Sequence, residues 1–361
     1  SQIARHPAHR TPPWRIDRGC ECESIHGNVY ECTLTDRIIY SIPILVCTYR
    51  SSIAYYLNAD ETPDFSLRPN QFYAFDMIAD QHKVARATRA AWEALVYPWG
   101  VASLASSEPF FHPFHKAWDH YHKDQAYHNG TIWLWNNGIA MQRMIELGQT
   151  GPAWALFSNM NRQALTRGVV GGMAENMDAY PQPGHDWPRL TGTYLQAWSN
   201  SEQLRIWYQH FLGVRPDQVN GAVTLAPRLT NDLEQVRFRS RVGTGHVTAH
   251  YRLRDGGADF EWQLFDVDTN LRIDLPGFVP FDVSTHAGQR LGVTVQGHRL
   301  EWTLRGEDGD SVKIGATEAD AGRLARQASF DKGFEGVGFA RPRDPSSHAV
   351  MHQVHDSGRG M

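Results

Sequence analysis

Two periods divide the chain. From about residue 64 to residue 218 apolar positions recur three and four apart, the spacing of one helix face, and from about Val219 they alternate, the spacing of a half-buried strand. Residues 84–96 carry the helical period. Pro69, whose fixed φ suits a first turn, opens a preceding helix that runs towards Asp80. Three further helices are expected over residues 130–147, 152–166 and 193–212, with Gly148, Gly168 and Gly213 ending them. The segment 97–125 is rich in His, Phe, Trp and Pro, and 171–190 is rich in Gly and Pro with Glu175 in its middle. Loops this long in a compact protein are more often functional than accidental.

In the second half, residues 236–239, 247–253 and 260–265 alternate, with turns at 242–246 and 255–257 between them. Residues 291–295 and 300–304 form another hairpin around 296–299. Several short strands with regular turns predict a β-sandwich or a sheet packed on the helices. From about Ala316 the chain turns polar and Gly-rich, which suits one short helix and then a loose tail. The fold class is therefore mainly α plus β, in four parts: 1–63, 64–218, 219–315 and 316–361.

Residues 1–63 fit neither period. They hold no lysine and all four cysteines (Cys20, Cys22, Cys32 and Cys47), and only 38–48 is apolar enough for one or two strands. This stretch is set apart as atypical: foreign to the fold that follows, or a genuine short variant of it. The cysteine spacing matches neither a paired CxxC nor a zinc finger. A disulfide framework would be odd when the regions that follow have no cysteine, so a reducing, cytoplasmic setting is expected. The opening residues lack the apolar core of a signal peptide, and 38–48 falls short of the roughly 20 residues a membrane span needs.

Composition adds less. The 361 residues are 41% hydrophobic, enough for a sizeable core. A formal net charge of −4 gives no reason to expect nucleic acid or an anionic membrane as partner. The 12 tryptophans suit carbohydrate recognition, and equally an aromatic-rich core. The histidines at 112, 115, 120, 122 and 128 crowd one region, and His348 and His352 stand four apart, but no HExxH or Cys partner accompanies them. Neither a metal nor a cofactor is expected.

The stretch Tyr127-His128-Asn129-Gly130-Thr131-Ile132-Trp133-Leu134-Trp135 concentrates hydrogen-bonding side chains and two indoles at one helix start. A pyranose has polar hydroxyl edges and apolar C–H faces, so a site that reads one needs both kinds of group. Gly130 permits close backbone approach. A helix start with core tryptophans is the plainer reading of the same residues.

The motif resembles the YHxGTxWPW signature of the amylo-α-1,6-glucosidase part of glycogen debranching enzymes. Leu67-Arg68-Pro69-Asn70-Gln71 is similar to the family's LRPNQ segment upstream. Downstream, Gly172-Met173-Ala174-Glu175-Asn176 is similar to its GxxEN segment and Gln196-Ala197-Trp198-Ser199 to its QAWS helix. Leu134 stands where the family usually has proline. The resemblance spans roughly residues 64–215 and implies the C-terminal part of an (α/α)6 helical barrel, followed here by a small antiparallel β-domain. It implies an inverting hydrolase of α-1,6-linked glucosyl branches, with Glu175 as general base. The plainer role for Glu175 is to order its own loop, helped by Asn176 and Asp178.

The resemblance puts the general acid in the barrel half before Leu67. Asp17, Glu21, Glu23 and Asp36 precede it, and nothing in their spacing nominates a proton donor. Asp124 is the best in-chain substitute, with a role in holding sugar hydroxyls. The expected substrate-binding set is Asp124, Tyr127, His128, Asn129, Trp133, Trp135, Gln196 and Trp198, with an α-glucan or oligosaccharide as ligand. Arg68 binds a hydroxyl or pairs with a loop carboxylate. Half a barrel exposes apolar faces, so either the segment 1–63 covers them or the chain self-associates through them. The rival reading is a truncated, non-catalytic carbohydrate-binding protein that lacks the acid.

Overall fold

A computed structural model describes residues 64–265 and 268–343, without the side chains of 264 and 265, and the backbone of short strands between residues 21 and 64. Those strands include Arg37–Ser41 and Leu45–Tyr49, so the apolar run at 38–48 does form strands. With Glu21–His26, Val29–Leu34 and Ser52–Ile53 they make an antiparallel five-stranded sheet in sequence order.

The described residues fall into two compact units. The first contains 64–95, 102–131 and 340–343. Its helices are α1 (Asn70–Ala74), which tightens into a 3-10 turn at Phe75–Met77, α2 (Gln81–Leu95) and α3 (Lys123–Tyr127). The helix expected to reach Asp80 stops short of it because Asp80 is committed to the next one. Its Oδ1 accepts the His82 and Lys83 backbone N–H groups at 2.9 and 3.1 Å, satisfying donors that a helix start leaves unpaired. Helix α2 buries Val84, Ala87, Thr88, Ala91, Trp92 and Leu95, the stripe that its period predicts.

The second unit contains 96–101 and 132–339. Helices α4 (Asn136–Glu146), α5 (Thr150–Thr166) and α6 (Ala197–Arg205) lie here, and α4 packs on both α5 and α6. The helix expected from Gly130 starts only at Asn136. Ile132–Trp133 is instead a strand paired with Asn176–Met177, which pairs in turn with Leu190–Thr191. A β-branched and an aromatic side chain there favour extended backbone once a partner strand is available. Likewise α6 begins at Ala197 rather than Thr193, because Thr193 and Gln196 give their backbone bonds to Glu175 and Met173. It runs on as a π-helix over Ile206–Phe211.

The β half forms two sheets. Six strands pair antiparallel in the order Gln235–Val242, Gly245–Arg254, Gly257–Phe265, Arg290–Gln296, Arg299–Arg305, Ser311–Glu318. Four more, Val214–Asp217, Ala222–Leu225, Thr269–Ile273 and Phe281–Thr285, make the second sheet, with one parallel pairing between Ala222–Leu225 and Thr269–Ile273. Val223, Leu225 and Leu271 from one sheet share a core with Tyr251, Trp262 and Leu291 from the other. The Tyr251 hydroxyl accepts the Trp262 Nε1–H at 2.8 Å and donates to the Leu212 carbonyl at 2.9 Å, so neither polar group is stranded in the core. Burial of the hydroxyl pushes its pKa up. The polar stretch after Ala316 does contain one helix, α7 (Ala321–Gly333), whose Asp320 accepts the Arg323 N–H at 2.7 Å. Mixed α plus β is thus the class observed. No helix of the described residues is long and apolar enough to cross a membrane.

Candidate functional site

The residues singled out in the sequence fall on two segments, one in each unit. In the first unit the 127–130 loop is organised by Arg68. Its guanidinium donates to the His128 carbonyl, to the Ser103 carbonyl at 3.3 Å and to Asn129 Oδ1 at 2.8 Å. Asn129 also donates through Nδ2 to the Gln125 carbonyl at 2.9 Å, so both ends of its amide are engaged inside the loop. Arg68 therefore binds loop carbonyls. Gly130 adopts φ +136°, and a Cβ there would lie 2.1 Å from the His112 carbonyl oxygen, which is the close approach its lack of side chain permits. The Gly130 N–H donates to Ser103 Oγ at 3.0 Å.

The histidines of this segment go to aromatic contacts. His115 stacks on Tyr127 at 5.1 Å, His112 sits 4.3 Å from Tyr121, and His122 meets Trp118 edge-on. Burial lowers the pKa of His112, and burial together with the nearby Arg68 charge lowers that of His128. Both are thereby biased towards the neutral ring that hydrogen-bonds without a net charge. Among the described residues no group of three or more ligating side chains could hold a metal. Asp124 lies on the surface, 3.2 Å from both His122 Nδ1 and Lys123 Nζ.

In the second unit Glu175 sits between two clamps. Its carbonyl accepts the Leu134 N–H at 3.2 Å, and its N–H donates to the Thr193 carbonyl at 2.8 Å. Its carboxylate is half-buried, and Oε2 accepts the Thr193 N–H at 3.2 Å. The 134 and 193 segments thus fix both the backbone and the head group of this residue. These bonds are also what the plainer, loop-ordering role predicts, and the neighbouring Asp178 joins in it: fully buried, Asp178 pairs with Arg189 at 3.4 Å and donates its N–H to the Arg189 carbonyl. Trp133 and Trp135 are half-buried and flank the fully buried Leu134, so neither indole is a core residue. The Gln196 N–H donates to the Met173 carbonyl, and Asn200 Oδ1 accepts the Met173 N–H at 2.9 Å. These bonds tie the start of α6 to the Glu175 loop. Trp198 is 51% exposed, beside exposed Tyr194 and Leu195.

Three participants were not singled out beforehand: Gly192, Thr193 and Asn200. Gly192 has φ +68°, and a Cβ on it would stand 2.6 Å from Glu175 Oε2 and 2.8 Å from Asn176 Oδ1. Its only trace in the sequence is the Thr191-Gly192-Thr193 punctuation, which reads as an ordinary turn. A carboxylate held by a backbone N–H has the fixed orientation that general-base chemistry requires.

These loops and helix starts hold a half-buried carboxylate clamped by backbone bonds, together with half-buried indoles, the kinds of group a carbohydrate site uses. Residues 41–205 match the family model for amylo-alpha-1,6-glucosidase. The match begins ahead of residue 64, inside the segment set apart in the sequence as atypical. No curated protein matches the chain.

Proposed function

We propose that the chain is a glycoside hydrolase of the glycogen-debranching type that removes α-1,6-linked glucosyl branches from α-glucans with inversion. The observation that carries this reading is Glu175: it lies inside the matched stretch, in a segment that resembles the family's GxxEN motif, and its carboxylate accepts the Thr193 N–H. In the reaction Glu175 takes a proton from water as the water oxygen bonds to the anomeric carbon. The glycosidic C–O bond breaks, and the leaving oxygen takes a proton from a second carboxyl group. In the second unit Trp133, Trp135 and Trp198 offer ring faces and Gln196 a polar contact to a sugar; in the first unit Tyr127 and His128 carry the polar groups of the motif. Asn129 acts by shaping the loop with Arg68. Helices α4, α5 and α6 are read as hairpins of an (α/α)6 barrel. The cysteine distribution supports a cytoplasmic setting, and the exposed Tyr194, Leu195 and Trp198 support either glucan contact or self-association.

One observation favours the rival reading of a carbohydrate-binding protein without turnover. Asp124, the in-chain substitute for the acid, is 66% exposed at its side chain and already paired with Lys123. Proton NMR during digestion of a branched α-limit dextrin tests the proposal. Early release of β-glucose is expected from inversion; α-glucose first would refute the mechanism, and dextrin bound without release would favour the rival.

A further inference from the structure

The outward face of the hairpin formed by Gln235–Val242 and Gly245–Arg254 has no place in the site above. Residues 235–254 contain five arginines and no Asp or Glu, in a chain whose net charge is −4. The register puts Arg237 opposite His250, Arg239 opposite Thr248, Arg241 opposite His246 and Gln235 opposite Arg252. Residues directly opposite in an antiparallel pair share a face, so these cations lie together. Val236, Phe238, Tyr251 and Ala249 fill the other face and the core. Arg237, Arg239 and Arg241 are exposed and make no ion pair with a carboxylate among the described residues, whereas Arg252 stands opposite Asp259 and His250 opposite Glu261 of the next strand, acids that pair with Arg254 and Arg290. Arg239 is 3.0 Å from His246 Nδ1, which holds one guanidinium without neutralising it. Along the strand the arginines recur every roughly 7 Å, twice the rise per residue.

We propose that this face binds phosphate groups carried on an α-glucan. Planar guanidinium groups bind phosphate oxygens in pairs, and a row of them reads a flexible anionic chain. The identity of the polymer rests on the hydrolase reading; the anion preference rests on the arginines alone. Phe238 and Tyr251 turn inward, so the face offers no aromatic platform of the kind that single-stranded nucleic acid stacks on. The Gln235–Val242 strand is also a sheet edge, where charge alone would guard against pairing with another chain. That role does not call for three arginines in a row along the edge.

Binding of a maltodextrin bearing phosphate monoesters, of the same dextrin after phosphatase treatment, and of a short DNA duplex tests this on the full chain. The triple variant Arg237→Gln, Arg239→Gln, Arg241→Gln is measured beside the wild type, with thermal melting as a check of folding. The phosphorylated dextrin is expected to bind about tenfold more tightly than the treated one, the gain vanishing in the variant and at about 0.5 M salt. Equal binding of the two dextrins overturns the proposal, as does preferential binding of the duplex. A variant that stays folded, keeps the phosphate preference and only self-associates also overturns it, in favour of edge protection. The dextrin and salt comparisons need only wild-type protein, so they stand even where the variant fails to fold. Phosphate-dependent binding without glucose release supports this site and counts only against the hydrolase reading.

Discussion

Replacing Gly192 with alanine puts a methyl group into space that the Glu175 and Asn176 side chains occupy. Two costs add. At φ +68° an L-residue is strained by about 1–2 kcal/mol. The new Cβ would also stand 2.6 Å from Glu175 Oε2 and 2.8 Å from Asn176 Oδ1. Asn176 is fully buried and has nowhere to retreat, so the half-buried carboxylate must move, losing the Thr193 N–H at 3.2 Å. Overpacking of this kind adds about 1–3 kcal/mol. Displacing a catalytic group by about 1 Å costs roughly a hundredfold in rate. Gly184→Ala is the control, since Gly184 has φ +80° and nothing within 4 Å of its Cβ position, so only the backbone cost applies. Urea denaturation and dextrin turnover of both variants give the two numbers. The expectation is a mild stability loss with intact turnover for Gly184→Ala, and a larger loss with turnover down about a hundredfold for Gly192→Ala. Equal stability losses, or wild-type turnover in Gly192→Ala, would refute the reasoning.

Two further predictions concern the frame around the site. His210 is buried among arginines and accepts from Arg205 at 3.0 Å; burial first, then the charges of Arg215 and Arg205, push its pKa down to about 2. Its folded pKa lies below the unfolded value of 6.5, so below that pH the unfolded chain binds a proton that the folded one refuses. Its contribution is therefore complete above pH 6.5 and falls by about 1.4 kcal/mol per pH unit below it, so urea midpoints at pH 7 and pH 5 should differ less in His210→Gln than in wild type. Tyr251→Phe strands the Trp262 N–H and the Leu212 carbonyl inside the β core and should cost about 1–3 kcal/mol, read from urea unfolding; no loss would mean the hydroxyl bridge is dispensable.

The β half was largely legible because its alternation is local. The strands expected at 247–253, 291–295 and 300–304 lie inside Gly245–Arg254, Arg290–Gln296 and Arg299–Arg305. Each inward Val, Tyr or Leu announces its own face. The strand at Val214–Asp217 was not legible, since it is short, contains Pro216 and acquires its pairing only from Ala222–Leu225. Ile132–Trp133 failed for a related reason: an apolar run at a helix start reads as helix until its partner at Asn176–Met177 arrives from far along the chain. Glu175 was legible only as part of a motif. Its clamps at Leu134 and Thr193, and the space left by Gly192, depend on three segments meeting, which no window of the sequence contains. Asn129 adds what no window of the sequence shows: its amide also bonds Arg68 and the Gln125 carbonyl.

The central claim is that Glu175 activates water at a glucan branch. Glucose release from a branched α-limit dextrin, measured for the wild-type chain beside Glu175→Gln, tests it most directly. The account predicts release by the wild type, loss of release in the variant, and dextrin affinity kept by both. Release that persists in the variant, or affinity that disappears with the carboxylate, would contradict it.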